Sequence, residues 1–122
     1  MLAVLAAPLL ALAAPLTIHV GEIWVFSLRN GDPVNARKSA AAPAKGQVQA
    51  RVSALGGTTM TVTNATGSAY TFRAELVARD GKATGTRSCT LPADGRPAFE
   101  SWPQRAVAVR IGGFKPTTGG SC

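Results

Sequence analysis

Cys89, Cys122, the single histidine His19 and six carboxylates are the side chains of this 122-residue chain best suited to chemistry. An even cysteine count in a chain bound for an oxidising compartment reads as one disulfide, Cys89–Cys122. Such a bond closes a loop of roughly thirty residues, a constraint worth about 3–4 kcal/mol in the chain-entropy model. It also ties a Thr117-Thr118-Gly119-Gly120 tail to the body of the protein. No C-x-x-C spacing is present, so redox exchange is not expected. His19 has no acidic neighbour in sequence except Glu22, and a zinc site needs more ligands than the chain supplies. Neither a metal nor a cofactor is therefore expected. Asp32, Asp80 and Asp94 sit in turn dipeptides, where the carboxylate supports the local backbone. Glu22, Glu75 and Glu100 remain for acid–base work, and an enzyme would have to bring one of them beside His19. Nothing in the spacing predicts that, so the chain reads as non-catalytic.

The segment best suited to binding is Arg96-Pro97-Ala98-Phe99-Glu100-Ser101-Trp102-Pro103-Gln104-Arg105. Aromatic residues and arginines dominate interface hot spots, and prolines order a loop at low entropic cost. Arg96, Phe99, Trp102 and Arg105 are the candidate partner contacts. The competing reading buries Phe99 and Trp102 as a plug at one end of the core, with Glu100 pairing an arginine.

The formal charge is +7, from 13 basic and 6 acidic residues. The basic residues are scattered singly between apolar positions, apart from Arg37-Lys38. That pattern reads as a solubilising surface, with an anionic polymer as the alternative partner. Nucleic acid is not expected, because no basic cluster or row of stacking aromatics is present.

Residues 1 to 16 carry no charge and are apolar apart from the prolines. The run is short for a membrane span, which needs about 20 residues. It reads as the apolar core of a signal peptide, with an A-x-A site at Ala11-Leu12-Ala13 and cleavage before Ala14. No Lys or Arg precedes it, which departs from the usual pattern and leaves an uncleaved hydrophobic segment as the other reading. No cysteine follows the run, as a lipoprotein anchor would require. The expected organisation is a signal segment over 1–16 and one domain over 17–122. A periplasmic or secreted location follows, with no stable membrane span after cleavage.

The elements that must position these residues are strands. Tyr70, Phe72, Ala74, Leu76 and Ala78 alternate with Thr71, Arg73, Glu75 and Arg79, a period of two with Val77 as the exception. Asp80-Gly81 predicts a tight hairpin with both turn residues at positive φ, and a return strand over Thr84–Leu91 that puts Arg87, Cys89 and Leu91 on one face. Gln47–Leu55, Gly56-Gly57 and Thr58–Thr63 predict a second hairpin. Ile23–Leu28 reads as a strand buried on both faces, or an edge strand with Trp24 over the core rim. Asn30-Gly31-Asp32-Pro33 is a turn before a strand beginning at Val34–Ala36, and Arg37–Gly46 is a loop. Phe99–Pro103 reads as a short edge strand or ordered loop, and Arg105–Phe114 as the last strand. Asn64-Ala65-Thr66 matches a glycosylation acceptor but reads as a turn.

About seven strands with turns every eight to twelve residues predict an all-β antiparallel sandwich, immunoglobulin- or fibronectin-like, with a small β-barrel as the alternative. The function expected is that of an exported sandwich making protein or cell-envelope contacts. The alternative is a binder of an anionic envelope ligand, a polysaccharide or lipopolysaccharide, through the basic surface.

Overall fold

A computed structural model describes residues 14 to 118. Most of the expected signal segment and the whole of Cys122 therefore lie outside the described residues. Within them the protein is all-β, with nine strands and no helix. The strands are β1 (Leu16–His19), β2 (Ile23–Arg29), β3 (Asp32–Lys38), β4 (Val48–Ser53), β5 (Thr58–Asn64), β6 (Tyr70–Val77), β7 (Ala83–Thr86), β8 (Ala98–Trp102) and β9 (Ala108–Pro116). They form two antiparallel sheets, one of four strands in the order β1-β9-β6-β7 and one of five in the order β3-β2-β4-β5-β8.

The two sheets share one core in a sandwich-like arrangement. Ile18, Phe72, Leu76, Val109 and Ile111 of the four-stranded sheet meet Phe26, Val48, Val52, Met60 and Val62 of the five-stranded sheet. Phe114 is the hub of the aromatic packing, stacked on Phe72 at 5.2 Å between ring centroids and in edge contact with Tyr70 at 6.2 Å. Each sheet keeps its own hydrogen-bonded ladder, so the closed-barrel alternative does not describe this arrangement.

The strand not expected from the sequence is β1: with φ at +94°, Gly21 separates it from β2, and the two join different sheets. β2 is consequently an interior strand between β3 and β4, with Val25 and Phe26 both buried, and not an edge. The Asn30-Gly31 turn has both residues at positive φ, 50° and 85°, as a two-residue hairpin requires. Asp80-Gly81 closes differently. Ala78 accepts from the Gly81 N–H, and its own N–H donates to Lys82. Only Gly81 has positive φ, so the loop is the three residues Arg79, Asp80 and Gly81. Asp80 stabilises it by accepting the Lys82 N–H.

The return strand is also shorter than its sequence suggests. β7 ends at Thr86, and Leu91 rejoins the ladder only through a bridge to Tyr70. Arg87, Cys89 and Leu91 do not share an environment: Leu91 is buried, Cys89 half-buried and Arg87 exposed. The reason is that the chain leaves the four-stranded sheet after Thr86 and crosses toward β8. There the Cys89 N–H meets Glu100 and the Arg87 carbonyl meets Trp102.

β3 and β8 are the edges of the five-stranded sheet. β3 carries Pro33, which has no N–H, a bulge opposite Val25–Ser27 with Asn35 at φ 53°, and Arg37-Lys38. β8 has no such interruption and pairs with β5 from Thr58↔Trp102 to Val62↔Ala98.

Candidate functional site

The four candidate contact residues are dispersed around β8. Strand alternation turns Glu100 and Trp102 inward and Phe99 and Ser101 outward. Trp102 packs in the core, 7% exposed, and its indole N–H donates to the Arg87 carbonyl at 3.1 Å. Phe99 is 68% exposed, among the most exposed large hydrophobic residues described. The core-plug reading therefore holds for Trp102 and not for Phe99. A spacing of three in a strand places two residues on opposite faces, and that signal was present in the sequence. Arg96 lies before β8 and is paired with Asp94 at 2.7 Å, where its backbone and side-chain N–H groups hold the Asp94 carboxyl below its ordinary range. Arg105 lies beyond the other end of the strand and is exposed.

Glu100 is buried and accepts the Cys89 N–H at 2.6 Å, where an arginine partner was expected. Burial raises its pKa, and the hydrogen bond from Cys89 offsets part of that rise. The residue thus fixes the segment that carries Cys89 against β8.

His19 and Glu22 do meet, at 3.5 Å, across the turn between β1 and β2. Glu22 accepts the Trp24 indole N–H at 3.0 Å, the His19 backbone N–H at 2.9 Å and Lys38 at 3.1 Å. These donors, the indole foremost, lower its pKa to about 2. A carboxylate held so firmly in its ionised form is a weak base. Its evident work is structural, joining the turn to β3 through Lys38, which also lies over the Trp24 ring at 5.9 Å. Glu75 is on the other sheet, 3.3 Å from Arg110. Among the described residues no group of three or more His, Cys, Asp or Glu is placed to hold a metal.

Asn64 is fully buried, and the nitrogen that a glycan would occupy donates to the carbonyls of Ser68 and Pro92. Its oxygen accepts from the Thr66 N–H and hydroxyl. The Asn-Ala-Thr triplet is a turn device, as its sequence setting suggests.

One feature escapes a strand-by-strand reading. At one end of the sandwich, four connections converge on a cleft of about 500 Å³ lined by Val20, Gly57, Arg79, Arg105, Ala106 and Val107 among others. Arg79 and Arg105 are 26 residues apart (105 − 79), and only the pairing of the strands brings them to one cleft. Comparison with protein-family models, with curated proteins and with solved structures found no match to this chain.

Proposed function

We propose that this protein is an exported, non-catalytic sandwich of immunoglobulin- or fibronectin-like kind that contacts a protein or envelope component through the free edge of β8. The observation that carries the reading is Phe99, 68% exposed on a strand whose ladder partner is β5 alone among the described strands. An unpaired edge presents backbone donors and acceptors to an incoming strand, and an exposed aromatic side chain supplies an anchor. Glu100 and Trp102, fixed beneath it by hydrogen bonds to Cys89 and Arg87, hold the edge in place before any partner arrives. Export is supported by the uncharged apolar run and A-x-A site of residues 1 to 16. A periplasmic or secreted location also suits a Cys89–Cys122 disulfide.

The alternative of a long anionic polymer engaging Arg96 and Arg105 together is less well supported. The two lie beyond opposite ends of β8, a strand of five residues, and Arg96 is already paired.

The test is a photo-crosslinking residue at Ser101, whose side chain faces outward on β8, in cells of the native host. A discrete crosslinked partner is expected, and it should disappear when Phe99→Asp is added. Circular dichroism of the Phe99→Asp protein should be unchanged, because an exposed substitution costs about 0.5 kcal/mol or less. No adduct at position 101, or one indifferent to Phe99→Asp, would remove the reading.

A further inference from the structure

The cleft at the end of the sandwich lies apart from the outward face of Phe99 and is built on different principles. Its two cations, Arg79 and Arg105, make no ion pair among the described residues, unlike Lys38, Arg96 and Arg110. No carboxylate among the described residues lines it. The nearest acid in sequence, Asp80, is engaged by the Lys82 N–H of its own turn.

Both arginines rise from backbone that is fixed. Arg79 occupies the three-residue loop closed by the Ala78–Lys82 and Gly81–Ala78 hydrogen bonds. Arg105 is bracketed by the buried Thr58, whose hydroxyl donates to the Gln104 carbonyl at 2.7 Å and accepts the Ala106 N–H at 2.9 Å. Val20, Ala106 and Val107 contribute apolar surface to a lining that is otherwise largely polar, and the backbone N–H groups of Val20 and Val107 are taken up by the carbonyls of Val107 and Val77. Leu55, between the lining residues Ala54 and Gly56, is 72% exposed.

We propose that this cleft binds an amphiphilic anion: an acidic head group, phosphate or carboxylate, held between Arg79 and Arg105, with an apolar chain against Val20, Ala106 and Val107. Two guanidinium groups offer forked donors that match the oxygens of such a head group. A cleft of about 500 Å³ is within the range of small-ligand sites. The positive charge of the whole chain, +7, raises the local concentration of such ligands.

The test is an amide NMR titration of the full chain with octyl phosphate below its micelle concentration, with inorganic phosphate and octanol in parallel. Shifts should concentrate at Gly56, Gly57, Arg79 and 105–107, with octyl phosphate the tightest of the three. Arg79→Gln with Arg105→Gln should weaken it about tenfold or more, as expected for the loss of two charge-assisted contacts. Arg96→Gln and Phe99→Asp should leave it unchanged, so this site and the β8 edge stand or fall separately. Co-sedimentation with vesicles of neutral and of anionic phospholipid then separates the sources. Arginine-dependent binding to the anionic vesicles points to a lipid head group in a membrane, and its absence points to a free amphiphile. Octyl phosphate binding no more tightly than inorganic phosphate or octanol, or unaffected by the double substitution in a protein of unchanged melting temperature, would overturn the proposal.

Discussion

Gly57 and Trp102 are in backbone contact: a Cβ on Gly57 would overlap the carbonyl oxygen of Trp102 and crowd that of Pro103. Gly57 also has φ at +132°, which an L side chain rarely adopts. This approach seats the end of β8 beside the β4–β5 turn and so sets the course of the chain toward Arg105. Gly57→Ala should destabilise the protein by about 2–4 kcal/mol, since strain and overlap act together. Gly56→Ala, at φ +67° but with no atom within 4 Å of the added carbon, should cost only about 1 kcal/mol. Urea denaturation of the two variants checks the difference, and equal costs would show that the close approach is not what Gly57 serves.

Glu22 gives the protein an acid-sensitive joint. Its folded pKa, about 2, is below the ordinary value of 4.5, so the ionised form is bound more tightly by the native state. The stability it contributes is complete above about pH 4.5 and is lost as pH falls through about 2. Solvent screening at this partly exposed turn limits the contribution to about 1 kcal/mol or less. Thermal unfolding of Glu22→Gln should fall below the unaltered protein at pH 7, and the two should converge as pH approaches 2. A constant gap across that interval would assign the effect to packing of Trp24 instead.

The proposed Cys89–Cys122 bond would fasten the tail to the segment that Glu100 already holds. Intact mass of the protein recovered from its native host should show no alkylation until a reductant is added. Cys122→Ser should lower stability by about 3 kcal/mol by the loop-entropy argument. Alkylation of both thiols without reduction would remove the bond and, with it, part of the case for an oxidising compartment.

The strands built on strict alternation were legible. Val48, Ala50 and Val52 of β4 and Met60 and Val62 of β5 are buried as their period of two requires, as are Phe72, Ala74 and Leu76 of β6. The Asn30-Gly31 hairpin was legible for the same local reason. What was not legible depends on distant chain. The departure of β7 after Thr86 is driven by partners on β8, and the Asp80-Gly81 loop admits two closures that local sequence does not separate. The placement of Arg79 and Arg105 on one cleft is a product of sheet order, to which single-residue patterns are blind. The opposite facing of Phe99 and Trp102, by contrast, was written in their spacing.

The two margins of the five-stranded sheet are chemically unequal. β3 is broken by Pro33 and a bulge and carries Arg37-Lys38, while β8 is regular and presents Phe99. Extension of this sheet is therefore one-sided. A second copy arriving at β8 would meet the same margin by twofold symmetry, and the far margins of both copies would be blunted. Self-association through β8 would therefore stop at a pair and not propagate along this sheet.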